Sequence, residues 1–123
     1  MVEDQFTIIY KIYVDPPVVV QVINLTARYD ASVDAVILEW ETPVEINNYG
    51  FRVEKGMNQN EFESASPGLI PGQGSTPDTT SYSFTDSLGL SQGTWDYRLE
   101  KWYDWGFIQW PVGYSDTVSV QIP

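Results

Sequence analysis

The stretch that most constrains the fold is Ala35 to Lys55, AVILEWETPVEINNYGFRVEK. Val36, Leu38 and Trp40 alternate with Ile37, Glu39 and Glu41. After a polar corner, Tyr49, Phe51 and Val53 alternate with Gly50, Arg52 and Glu54. A period of two puts each set on one face of a strand. Both strands then carry an apolar face that needs cover and a charged face suited to water. The corner Glu41 to Asn48 holds Pro43 and the pair Asn47-Asn48, residue types that favour turns. Trp40 is the largest inward side chain and is expected at the centre of a β-sandwich core.

The remaining chain extends this pattern. Phe6 to Val14, FTIIYKIYV, reads as a strand with Phe6, Ile8, Tyr10, Ile12 and Val14 on one face and Thr7, Ile9, Lys11 and Tyr13 on the other. Asp15-Pro16-Pro17 stops it, because Pro lacks a ladder donor. Val18 to Tyr29 is the next strand, with a bend expected near Asn24, and Asp30 to Asp34 is a turn. Gly56 to Ser81 is the loosest part. It carries no Lys or Arg, with a short strand near Glu61 to Ala65 and an irregular surface loop from Ser66 to Pro77. Tyr82 and Phe84 alternate inward within Ser81 to Asp86, and Leu88 to Gly93 is a corner. Thr94 to Asp104 is a long strand with Trp95, Tyr97 and Leu99 on one face and Asp96, Arg98, Glu100 and Trp102 on the other. Phe107 to Ile122 returns as one strand broken at Pro111-Val112-Gly113. No helix of ordinary length fits. Seven or eight strands punctuated by turns predict an all-β, immunoglobulin-like antiparallel β-sandwich with an extra N-terminal strand. Residues 1–17 form the extension and its Pro-Pro linker, and residues 18–123 form the sandwich.

Composition narrows the chemistry. The 123 residues are enough for one domain with a core that needs no staples. There is no Cys, which removes disulfides and thiolate metal sites, and no His, which removes the commonest general base and transition-metal ligand. Six basic against seventeen acidic residues give a net charge of −11. Such a surface should repel nucleic acid and anionic membranes. The longest apolar strand is far too short to span a bilayer and contains Lys11. Met1 is followed by Val-Glu-Asp without the basic start and apolar run of a signal peptide, so the expectation is either a cytoplasmic protein or a mature or trimmed chain.

The blocks LEWETPVEINNYGFRVEKG, LIPGQGS, SYSFTDS and GTWDYRLEKW, in that order, resemble the fibronectin type III-like modules of secreted microbial proteins. The resemblance covers about Val18 to Ile122. It implies a seven-stranded sandwich with Trp40, Phe51, Val53, Tyr82, Phe84, Tyr97 and Leu99 in the core, and an extracellular or cell-surface location. It also implies a role as spacer, surface module or accessory domain of an enzyme, without catalytic residues of its own. Three features depart from it. Trp95 stands where a corner Tyr is usual, which puts that corner's hydrogen bond in doubt. Lys101-Trp102-Tyr103-Asp104 replaces an acidic turn, and the strand Phe6 to Val14 lies before the usual start.

Two sets of residues are candidates for function. The first is Phe6, Ile8, Ile9, Tyr10, Ile12, Tyr13 and Val14. This strand is apolar on both faces apart from Thr7 and Lys11, so it wants cover on both sides, either within its own molecule or by addition to another subunit's sheet. The second is Trp102, Trp105 and Trp110, an indole-rich hairpin suited to a protein partner or to sugar stacking. The acid pairs Glu39/Glu41 and Asp96/Glu100 read as solvated faces. The sequon Asn24-Leu25-Thr26 falls inside a strand and reads as chance, and the glycines of Gly68 to Gly74 lack the Lys and helix of a phosphate loop. No nucleophile–base pair, metal cluster or cofactor motif is readable. The expectation is a non-catalytic structural module, needing no cofactor, that assembles with itself or a neighbouring surface protein into a filament-like array. A carbohydrate-binding or spacer accessory module is the alternative.

Overall fold

The computed structural model describes residues 16–57, 61–87 and 89–123. Among them run nine strands: β1 Ile23–Asp30, β2 Ala35–Thr42, β3 Glu45–Gly56, β4 Glu63–Ser64, β5 Ile70–Thr76, β6 Thr80–Asp86, β7 Gly93–Asp104, β8 Gln109–Tyr114 and β9 Val118–Ile122. They form two antiparallel sheets packed as an immunoglobulin-like sandwich. One sheet has the order β1-β2-β6. In the other, β3 and β7 are central, β4 and β5 share the outer edge of β3, and β8 and β9 share the outer edge of β7. The strand expected at Phe6 to Val14 lies outside the described residues.

The alternation in Ala35–Lys55 has the expected consequence on β2. Val36, Leu38 and Trp40 are buried, while Glu39 stands in solvent. From the facing sheet come Phe51, Val53, Tyr97 and Leu99, each fully buried. Trp40 is stacked on Tyr82 at 5.6 Å and 12°, and Phe51 meets both rings edge-on at 5.6 and 5.2 Å. Offset and edge-to-face arrangements suit the aromatic quadrupole. Each large apolar side chain removed from water this way contributes roughly 1.5–3 kcal/mol as an upper figure. Tyr82 and Phe84 lie at the flank of this core and stay partly open.

Four details differ from expectation. The strand predicted from Val18 pairs only from Ile23. Before that point Val20 enters the core while Val18 and Val19 remain exposed. The bend expected near Asn24 is present, as a register shift between Ile23 and Thr26 with Asn24 at φ 55°. The polar corner shrinks to Pro43-Val44, because Glu45 already belongs to β3 and is buried. Tyr49 points outward, since a register shift between Asn48 and Gly50 breaks the alternation. Finally, the return strand breaks at Ser115–Thr117 and only shifts register near Pro111, so β8 pairs with the end of β7 and β9 with its start.

The loop expected from Ser66 to Pro77 is instead largely strand β5. Two glycines make this possible. A Cβ on Gly50 would lie 2.4 Å from the Ile70 carbonyl oxygen, and one on Gly72 would lie 2.5 Å from that of Asn48. Only the bare backbone lets β3 and β5 approach this closely.

Candidate interaction surface

Two buried carboxylates tie the sheets together, and both are fully occupied by donors. Glu45, 1% exposed, accepts from Thr42 Oγ1 at 2.7 Å, Asn48 Nδ2 at 2.9 Å and the Gln73 backbone N–H at 2.8 Å, and also from the Tyr82 hydroxyl. Burial alone would raise its pKa, but the Tyr82, Asn48, Gln73 and Thr42 donors more than offset this and hold it below the usual value. Burial and this carboxylate together push the Tyr82 hydroxyl well up. Asp86, also 1% exposed, accepts from Lys55 Nζ at 3.0 Å and from the Tyr97 hydroxyl at 2.7 Å. Burial first, then Asp86, raises the Tyr97 pKa strongly. These groups join β2, β3, β5, β6 and β7 and have a structural explanation.

Trp95 answers the question left at the β6–β7 corner. Its indole N–H donates to the Ser91 carbonyl at 2.8 Å. The corner hydrogen bond is therefore present, supplied by an indole in place of a phenol.

The outer face of the β3–β7–β8 sheet is a charge and aromatic lattice. Arg98 Nε is 2.8 Å from Glu54 Oε1, and its guanidinium lies between the Phe62 and Tyr114 rings at 4.0 and 3.9 Å. The register sets Arg52 opposite Glu100 and Gly50 opposite Trp102. The Trp102 indole N–H donates to Glu100 at 2.8 Å, and the Arg52 guanidinium sits 5.6 Å from its ring. Trp102 is thus half-buried under its own neighbours.

The three indoles predicted to act together are separated. Trp110 is directly opposite Tyr103 across the β7–β8 ladder. Cross-strand partners share a face, and successive residues take opposite faces. Trp110 therefore projects from the face opposite to Trp102. Trp105, at the hairpin tip, packs edge-on against Tyr103 at 4.7 Å, while Trp110 is 55% exposed. The hairpin is shaped by Asp104, whose Oδ1 accepts from the Gly106 N–H at 2.7 Å and from Gln109 Nε2 at 2.9 Å, with Gly106 at φ 88°. No single platform of three rings forms.

The free sheet edges are the other part of the surface, and the sequence reading did not single them out. Among the described residues β6 pairs on one side only, with seven consecutive unshifted partners on β2 from Val36↔Asp86 to Thr42↔Thr80. Its outward residues Ser81, Ser83 and Thr85 are exposed, and from Thr80 to Thr85 it carries no charge and no Pro. Proteins normally blunt such an edge. On the opposite flank, β1 lies against β9. A shallow groove of about 290 Å³ runs there between Val22, Asn24 and Leu25 on one side and Ser115 to Val118 on the other. Asn24 of the sequon is exposed at the bulge, with its amide donating to Glu41 at 2.7 Å.

No protein-family model, curated protein or solved structure matches this chain.

Proposed function

We propose that this chain is a non-catalytic structural module, fibronectin type III-like in kind and extracellular or surface-exposed, whose role is to join copies of itself by β-strand addition. The observation that carries this reading is the pattern of Phe6 to Val14, nine residues apolar on both faces apart from Thr7 and Lys11. Among the described residues, one hydrophobic cluster running from Val20 to Ile122 packs both sheets. A strand with two apolar faces gains cover by adding to a sheet. The Pro16-Pro17 pair stiffens its attachment. Main-chain hydrogen bonds supply affinity and register, and the alternate apolar side chains supply the hydrophobic term.

The test is mass in solution, by light scattering or native mass spectrometry, of the full chain and of a variant lacking residues 1–15. The full chain assembles. The shortened chain unfolds cooperatively but stays at one chain mass. Assembly that survives the deletion rules strand donation out.

A second reading has one observation in its favour. Trp110 presents more than half of its surface to solvent, and an exposed indole can stack on a sugar ring. Polysaccharide titration followed by Trp fluorescence checks it. A shift that disappears in Trp110→Ala supports carbohydrate binding, and no response to any glycan removes it.

A further inference from the structure

Resting on the strand-addition reading, we infer that the acceptor is the free edge of β6 on a second copy of this chain, which makes the assembly an open, head-to-tail polymer. Four observations converge. The first is a comparison of edges among the described residues. β1 is broken by the shift at Asn24 and carries the exposed Arg28 on its outer face. β5 contains Pro71 and two register shifts, and β8 contains Pro111 and one. β9 has β1 against it, and β4 is two residues long. Only β6 offers a regular, uncharged, proline-free edge.

The second is side-chain fit. Tyr82 and Phe84 stand half-covered at the flank of the core. A strand added beside β6 would set one face against them, and the set Phe6, Ile8, Tyr10, Ile12 and Val14 supplies an apolar face of the right period.

The third is charge. The opposite donor face carries Lys11, the only cation in residues 1–15. On the outer face of the acceptor sheet, Ser81 and Ser83 stand opposite Glu41 and Glu39. Small hydroxyl side chains leave those carboxylates within reach of a lysine one strand further out, at about 10 Å across two strand spacings. At β1 the same lysine would meet Arg28.

The fourth is polarity. The chain enters the sandwich through Val19, beside Gly113 of β8, and Val20, then becomes β1. The described chain therefore begins on the flank formed by β1, β8 and β9. The acceptor lies on the far side of β2, because the sheet order is β1-β2-β6. A donor segment joined to the first flank and an acceptor on the second make a heterologous contact, which propagates from copy to copy unless the rotation between copies closes a ring.

The chain has no Cys, so introduced thiols report unambiguously. Full-length Lys11→Cys is mixed with full-length Ser81→Cys, Ser83→Cys or Thr85→Cys and oxidised. Thr26→Cys, exposed on the outer face of β1, serves as the control acceptor. Disulfides form only between Cα atoms about 4.4–6.8 Å apart, so at least one β6 position should give a covalent species at twice the 14.0 kDa chain mass, and Thr26→Cys should not. If the full chain assembles but no β6 position crosslinks, or Thr26→Cys crosslinks as well as any, the acceptor assignment is overturned while strand donation stands. A disulfide that forms only when both thiols are on one molecule also overturns it, by showing pairing within the chain. If the unmodified chain stays at one chain mass at every concentration, the strand-addition reading fails first.

Discussion

Glu45 is the place where a single side chain holds most of one flank together, and its removal is the sharpest test of the packing argument. Replacing it with Ala takes the acceptor from four donors at once: Thr42, Asn48, the Gln73 backbone and Tyr82. The two hydroxyls can rotate to other partners. The Asn48 side-chain amide is buried and the Gln73 backbone N–H is part-buried, and each buried donor left without an acceptor costs about 1–3 kcal/mol. Glu45→Ala should therefore cost roughly 3–5 kcal/mol, a large part of the ~5–15 kcal/mol of a typical domain. Glu45→Gln keeps the shape. Its oxygen still accepts from Asn48 and Gln73, and its NH₂ faces hydroxyls that can accept as well as donate, so the cost should be about 1–2 kcal/mol. The pH dependence has a definite sign. The folded carboxyl titrates below its ordinary value of 4.5, so its stabilisation is present above that pH and is lost as pH falls through the folded value. The gap between wild type and Glu45→Gln should accordingly narrow below about pH 4.5. Urea titrations followed by Trp fluorescence, repeated from pH 7 to pH 3, measure all three quantities. Two variants of equal cost, both under about 0.5 kcal/mol, would refute the view of Glu45 as a buried hub.

Other outcomes follow from the same geometry. Asp86→Ala removes the carboxylate shared by Lys55 and Tyr97 and should cost about 3–5 kcal/mol, against about 1 kcal/mol for Tyr97→Phe, both read from denaturant midpoints. Gly50→Ala drives a Cβ into the Ile70 carbonyl. It should cost about 1–3 kcal/mol and release the β5 amides first in hydrogen exchange, while the β2–β6 amides keep their protection. Trp95→Phe deletes the donor to Ser91 and should lower stability by about 1–2 kcal/mol in thermal unfolding.

Much of the architecture is legible in one dimension because strand alternation is a local property. Val36, Leu38 and Trp40 point inward for the reason that residues two apart share a face, and no knowledge of partners is needed to say so. The same holds for Trp95, Tyr97 and Leu99. The absence of Cys and His likewise follows from composition alone. Features set by partners were out of reach. β5 has a Gly- and Pro-rich sequence of loop type, yet it pairs because Gly50 and Gly72 remove the Cβ atoms that would keep the backbones apart. Tyr49 faces outward because a register shift, a property of two strands, overrides the period of one. Glu45 looks like a turn residue until four donors, from β2, β3, β5 and β6, surround it. Trp102 and Trp110 are neighbours in sequence, but the pairing sends them to opposite faces of the sheet. Which strand faces are apolar, and that neither a thiol nor an imidazole is present, can be read in one dimension. Which edges of the described strands are paired, and which side chains stand beside them, depends on partners distant in sequence, because an edge is a relation between two strands.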